Sequence, residues 1–269
     1  MDEVEVEGLR IAYEQAGAGP LLVLVHGYVG DSRGWRHQID DLCDEFTVVA
    51  WDAPGYGRSA DPPETFRLPD YADCLAGFIE ALDLGRPHVL GLSFGGGLAL
   101  ELYRRHPTLP KSLVLASAYA GWTGSLPAKV VDQRLQQALR QSELPPDELA
   151  RALIPTLLSA SAPAGLRDEV AANISEFHPA GLRATARSFA EADLRDVLPR
   201  IDVPTLLLYG EKDTRAPLNV AHDLHAKIAG SQLVVIPGAG HMIHVEAAKR
   251  FNAEVRAFLR SQQSSPPHS

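Results

Sequence analysis

Ser93 lies in the run Gly91-Leu92-Ser93-Phe94-Gly95, where an apolar stretch from Pro87 to Leu90 gives way to a helical stretch from Phe94 to His106. A chain that reverses sharply from strand to helix forces the apex residue into a strained backbone conformation, and glycines two positions to either side remove side chains that would collide there. The apex hydroxyl is then presented as a nucleophile. The amide that follows it stands at a helix N-terminus, where unpaired N–H donors and the positive end of the dipole favour a developing oxyanion. A serine nucleophile needs a base, usually an imidazole, and the imidazole needs a carboxylate to fix its tautomer. On a strand-turn-helix scaffold the chain order is serine, acid, histidine. Downstream, Pro204 to Tyr209 reads as a buried strand ending in Gly210-Glu211-Lys212-Asp213, and Gln232 to Ile236 as another ending in Pro237-Gly238-Ala239-Gly240-His241. Asp213 and His241 thus both follow the carboxyl ends of strands, the edge at which an open parallel sheet binds ligands, and are expected to meet Ser93 there. The competing readings are a helix cap or loop ion pair for Asp213, with Glu211 as rival acid, and a hydrogen-bonded loop residue for His241.

The second half of an oxyanion hole belongs in the loop after an earlier central strand. Leu21 to Val25 is such a strand and runs into His26-Gly27-Tyr28-Val29-Gly30. Gly27 permits a tight turn that aims the Tyr28 amide toward Ser93, so the hole is assigned to the backbone N–H groups of Tyr28 and Phe94. His26, just before the glycine, reads as a buried brace of the loop. Trp35, beyond it, is a pocket or core residue.

Together these residues resemble the serine α/β-hydrolases. The landmarks are His26-Gly27, Asp52-Ala53-Pro54-Gly55-Tyr56-Gly57-Arg58-Ser59, the turn at Ser93, Gly210-Glu211-Lys212-Asp213 and Gly240-His241, in family order, and the likeness runs from about Glu7 to Leu259. Ser93-Phe94-Gly95-Gly96 is similar to the turn of the capped carboxylesterases, enol-lactonases and cofactor-free haloperoxidases. The resemblance implies an α/β fold with a mostly parallel eight-stranded sheet, helices on both faces and an inserted helical cap. It also implies Ser93, Asp213 and His241 as a catalytic triad acting on an ester or lactone, with no metal and no organic cofactor. Asp52 is read as a brace of its own turn. Family members that open epoxides or remove halogen carry aspartate where Ser93 stands, hydroxynitrile lyases carry threonine near Tyr28, and carbon–carbon bond hydrolases commonly carry tryptophan where Met242 stands. Carbon–carbon bond hydrolysis or perhydrolase-type activity on the same triad remains the alternative. From another class, a receptor-like protein that binds its ligand without turnover is the further alternative.

The elements that must hold these residues are legible from hydrophobic patterning. Strands are expected near Val4 to Val6, Leu9 to Tyr13, Leu21 to Val25, Thr47 to Trp51, His88 to Leu90, Ser112 to Ala116, Thr205 to Tyr209 and Gln232 to Ile236, the first two as an antiparallel edge hairpin around Gly8. From Tyr119 to Pro199 no strand is evident. Apolar residues there recur at helical spacing, as at Val130, Val131, Leu135, Ala138 and Leu139, then Leu149, Leu153 and Leu157. Breaks at Pro145-Pro146, Pro155, Pro163 and Pro179 divide the stretch into about four helices. The chain therefore divides into a core of residues 1–118 and 200–260, a helical cap of residues 119–199 and a polar tail of residues 261–269 expected to lack fixed structure. Cap arginines, Arg134, Arg140, Arg151, Arg167, Arg183 and Arg187, are candidates for a carboxylate clamp, although most must face water. Trp122, Phe177, Phe189 and Met242 are candidates to line an apolar substrate pocket.

Composition excludes several classes. With 34 acidic against 25 basic residues among 269, the formal charge is −9, and no basic stripe interleaved with aromatics appears, which disfavours nucleic acid and anionic membrane as partners. Cys43 and Cys74, widely separated and in segments read as helical, are expected to be buried thiols rather than a disulfide or metal site. The acidic N-terminus lacks the cationic start and apolar core of a secretory signal, and no apolar run approaches about 18 residues, so a cytoplasmic location is expected. The pairs His222/His225 and His241/His244 lack the glutamate of a zinc-protease helix. The partner expected is a small ester or lactone; the oligomeric state is not encoded legibly.

Overall fold

A computed structural model describes residues 1–174 and 178–263, and for Gln263 the backbone only. Eight strands form one sheet in the order β1-β2-β4-β3-β5-β6-β7-β8. They are β1 (Asp2–Val6), β2 (Leu9–Ala16), β3 (Leu21–Val25), β4 (Thr47–Trp51), β5 (His88–Leu92), β6 (Ser112–Ala116), β7 (Thr205–Gly210) and β8 (Gln232–Ile236). β2 runs antiparallel to β1 and β4, and every later pairing is parallel. The hairpin between β1 and β2 turns at Glu7 and Gly8, with φ of 49° and 81°, the two positive dihedrals that a tight turn matched to strand twist demands.

Helices cover both faces. On the chain they are α1 (Arg36–Leu42), α2 (Leu68–Leu82), α3 (Phe94–Arg105), α4 (Trp122–Ser125), α5 (Ala128–Gln141), α6 (Pro146–Leu157), α7 (Ala164–Ile174), α8 (Pro179–Glu191), α9 (Leu218–Lys227), α10 (Ile243–Glu246) and α11 (Ala248–Gln263). Side chains of a strand alternate between faces, and β3 shows the result: Leu21, Val23 and Val25 join the core formed with α2, α3 and α9, while Leu22 and Leu24 join the one formed with α1 and α11. β3 to β7 are buried along their whole length, which is why they read as unbroken apolar runs.

Several boundaries differ from the sequence reading. β5 extends beyond Leu90 to Leu92, because Gly91 pairs with Val25 and Leu115 and Leu92 with Ala116, so pairing on either side carries the strand up to the turn. Among the described residues between β6 and β7 stand five α-helices rather than about four, the extra one being the single turn α4. Pro146 and Pro179 are first residues of helices, where their missing N–H costs nothing, and Pro163 immediately precedes α7. Pro155 does not break the chain: it sits in the last turn of α6, which ends at Leu157 with Leu158 as its cap. α11 continues through residues 261–263, expected in the tail; the rest of that tail, 264–269, lies outside the described residues. Cys74 is buried on α2, but Cys43 caps the end of α1 and is half-buried, its thiol directed to the Asp40 carbonyl; neither is in a disulfide. No described helix is long and apolar enough to cross a membrane.

Candidate active site

Ser93 has φ 53° and ψ −110°, a conformation that L-residues rarely adopt and that marks stored strain. The turn is held by its own backbone: Ser93 N–H donates to the Ala116 carbonyl at 2.8 Å, and the Ser93 carbonyl accepts from Gly96 and Gly97 at 3.0 and 3.1 Å. The flanking glycines are required by close approach. A Cβ on Gly91 would overlap the Gly95 carbonyl, and one on Gly95 would overlap the Val25 carbonyl of β3, backbone against backbone in both cases. Gly95→Ala is therefore expected to destabilise the fold by about 3 kcal/mol or more, read as a lowered urea midpoint with unchanged slope.

Asp213 and His241 leave the ends of β7 and β8, and Asp213 Oδ2 accepts from His241 Nδ1 at 2.8 Å, with the carboxylate and the ring both buried. The Asp213 Oδ1 atom accepts from the backbone N–H groups of Arg215 and Ala216, each at 2.8 Å. Burial alone would raise this carboxyl's pKa. The neighbouring His241 and the two backbone donors outweigh it and hold the pKa below the usual carboxylate value. A depressed folded-state pKa contributes stability that is present above the ordinary value and lost as the pH falls through the folded one. Unfolding free energy is thus expected to be level above about pH 5 and to fall below about pH 4, with a shallower fall in Asp213→Asn. Glu211, the rival acid, is exposed and accepts from Gly238 N–H at 2.9 Å, so it braces the loop before His241.

The histidine loop is anchored by residues that carry no sequence motif. Ser117, itself at φ 46°, donates its hydroxyl to the His241 carbonyl at 3.0 Å, and Met242 N–H donates to the Leu157 carbonyl at the end of α6 at 3.0 Å. Glu246 Oε2 accepts from Gly240 at 2.9 Å and Ser159 at 3.0 Å. One carboxylate thus ties the His241 loop to the chain that follows α6.

Ser93 and His241 line one cavity. No hydrogen bond joins Ser93 Oγ to His241 among the described residues, and His241 Nε2 has no acceptor or donor there. Neither do the N–H groups of Tyr28 and Phe94, the two amides expected to form the oxyanion hole, find an acceptor among the described residues. Tyr28 lines the cavity, and its buried hydroxyl has no partner among the described residues. The walls are largely apolar, with Trp35 and Met242 from the core and Leu153, Leu157, Val170 and Ile174 from α6 and α7. None of those four was marked from sequence as a pocket wall, Leu153 and Leu157 reading only as part of a helical apolar pattern, because nothing in such a pattern distinguishes a wall of a cavity from a packed interior.

Three pocket candidates need correction or division. Trp35 both packs and lines: it is buried and its ring lies 4.7 Å from that of His244, whose own burial pushes its pKa down to about 3. Trp122 does not line the cavity of Ser93; α4 turns it onto Phe189, with ring centroids 5.8 Å apart, beside a second cavity. Phe189 is core, packed edge-on against Phe94. Phe177 lies outside the described residues. The bracing roles read for His26 and Asp52 are observed. His26 is held neutral by burial, its Nε2 accepting from Ala53 N–H at 3.0 Å and Nδ1 paired with the Gly27 carbonyl at 2.8 Å. Asp52 accepts from Ser32 N–H at 2.7 Å and Arg58 N–H at 2.9 Å.

Residues 20–248 match the alpha/beta hydrolase fold family. The chain belongs to that family. Among solved alpha/beta hydrolases it is similar to a thermophilic esterase from Thermogutta terrifontis, studied with malate bound, at 31% identity and a TM-score of 0.90 over 97% of this chain and 99% of the other. The enol-lactonase from Burkholderia xenovorans shares the fold, with a TM-score of 0.88 at 24% identity over 96% of this chain and 100% of the other. By sequence the mouse serine hydrolase BPHL is 29% identical over 96% of this chain and 86% of its own length.

Proposed function

We propose that this alpha/beta hydrolase cleaves carboxylic esters or lactones of small, mainly apolar molecules through an acyl-enzyme on Ser93. The observation that carries the reading is the buried Asp213–His241 hydrogen bond, which leaves the imidazole's Nε2 unengaged beside Ser93 in a largely apolar cavity. The 2.8 Å bond from Nδ1–H to Asp213 keeps the proton off Nε2, the tautomer a general base requires. As substrate seats, Ser93 Oγ closes on Nε2, a contact that commonly tightens only in the complex. Oγ attacks the carbonyl carbon while Nε2 takes its proton. The carbonyl oxygen becomes an oxyanion held by the Tyr28 and Phe94 amides, each contributing about 10² to 10³ in rate. The tetrahedral intermediate expels the alkoxide, which takes the proton from His241 and leaves as the alcohol, or stays tethered if the substrate is a lactone. Water, deprotonated by His241, then attacks the acyl-enzyme, and Ser93 is restored with release of the acid.

The helices between β6 and β7 act as a cap in this reading. α6 and α7 roof the cavity with aliphatic side chains, and the Leu157 and Glu246 contacts fix the end of α6 and the chain after it against the His241 loop. Proton release in a pH-stat across short-chain esters, long-chain esters and lactones tests the reading. Within that panel turnover is expected to be greater for short than for long acyl groups and to need no added metal. Tight binding of panel members without any proton release would instead favour the receptor-like alternative.

A further inference from the structure

The cavity of Ser93 and a second cavity share two lining residues, Tyr28 and Arg215. Arg215 directly follows the acid-bearing turn, and Arg134 of α5 lines the second cavity. Arg215 Nη1 donates to Thr156 Oγ1 at 3.0 Å. Arg134 donates to the Tyr119 hydroxyl at 3.0 Å and to the Arg215 carbonyl at 2.9 Å, and its guanidinium lies 6.0 Å from the centre of the Trp122 ring. These acceptors are neutral. Among the described residues neither arginine has an ion-pair partner, although the chain carries 34 acidic residues against 25 basic ones. Asp213, the carboxylate that acts on Arg215 electrostatically, already spends its oxygens on His241, Arg215 N–H and Ala216 N–H. Burial pushes the Arg215 pKa down and the nearby Arg134 charge pushes it further, with Tyr119 and Asp213 pulling back. A half-buried cation without its anion carries a desolvation cost, and the buried Tyr28 hydroxyl beside it, without a partner among the described residues, adds a donor with nothing to receive its proton.

We infer that the junction of the two cavities is a carboxylate subsite, in which the Arg215 guanidinium and the Tyr28 hydroxyl hold a free carboxylate on the substrate, with Arg134 adding positive potential from the second cavity. The inference deepens the hydrolase reading and rests on it: the substrate class becomes half-esters of dicarboxylic acids and lactones bearing a carboxylate. A planar guanidinium with free N–H groups matches carboxylate geometry, as an ammonium does not. Tyr28 would then have two functions, its amide facing the oxyanion and its hydroxyl facing the remote carboxylate.

The test uses monoethyl and diethyl esters of the malonate-to-adipate series, together with calorimetric titration of the free dicarboxylates. At the best chain length the parent protein is expected to favour the monoester over the diester by about tenfold or more in kcat/KM, with the free dicarboxylate competing against diester turnover. Arg215→Met is expected to lower that monoester-to-diester ratio about 10- to 100-fold, and Arg215→Lys to restore part of it. A bracing role alone would depress both esters alike and leave the ratio unmoved, overturning the inference. Equal use of both esters at every length, with no dicarboxylate binding, would also overturn it. Dicarboxylate binding that is lost in Arg215→Met, with neither ester cleaved, would uphold the subsite and count against the hydrolase reading.

Discussion

Ser93→Ala is expected to lose ester turnover by about 10⁴-fold or more, with the fold intact. The side chain takes part in no hydrogen bond among the described residues, and the strained turn is held by the backbone of Ser93 rather than by its hydroxyl. Alanine at φ 53° carries the same Cβ as serine, so the substitution adds no strain that is not already present. On the proposed mechanism, what disappears is the nucleophile that forms the acyl-enzyme. Any residual rate then reflects water attacking a carbonyl polarised by the two amides. Steady-state kinetics on the best ester, with thermal melting as the check on folding, measures this. A residual rate within tenfold of the parent would mean that Ser93 is not the nucleophile.

Asp213→Asn is expected to cost about 10³- to 10⁴-fold in kcat for a different reason. With its carbonyl oxygen kept on Arg215 and Ala216 N–H, the amide nitrogen faces His241 Nδ1 in place of Oδ2. A donor there makes Nδ1 an acceptor and moves the imidazole proton to Nε2, which can then no longer take the proton of Ser93. The reversed amide instead places N–H groups against the Arg215 and Ala216 amides, donor against donor. Either orientation disables the base, while the volume of the side chain is unchanged. The loss should fall on kcat rather than KM, since Asp213 does not line the cavity of Ser93. A loss below about tenfold would assign the orienting role elsewhere, and Glu211 is too exposed and too committed to Gly238 to assume it.

The candidate site residues were legible because their types are constrained by backbone. Gly91 and Gly95 are fixed by carbonyls that a Cβ would strike, Gly8 by a positive φ, and Asp213 and His241 by their places after buried strands. The sheet was legible for the same reason, since a strand buried on both faces cannot hide its apolar run. Pro155 misled because a proline in the last helical turn sacrifices a single hydrogen bond, which α6 tolerates next to its natural end. Trp122 misled because an aromatic residue on a helix announces burial but not against what. Arg215 was passed over although it stands two positions after Asp213: a lone arginine in a loop reads as solvated, and only its placement between two cavities, away from every described carboxylate side chain except one already committed, marks it out. The walls from α6 and α7 belong to the same category, because which face of a short amphipathic helix meets an open space is decided by packing.

The central claim is that a carbonyl carbon becomes bonded to Ser93 Oγ. Mixing the parent protein with excess p-nitrophenyl acetate, quenching in acid within the first turnover and digesting for mass spectrometry tests it most directly. The account predicts a stoichiometric burst of nitrophenol and a single acetyl group on the peptide that contains Ser93, absent from Ser93→Ala and accumulating in a His241→Ala protein only very slowly. Rapid turnover with no acetylated Ser93 peptide at any quench time, or an acetyl group carried by another residue, would contradict it.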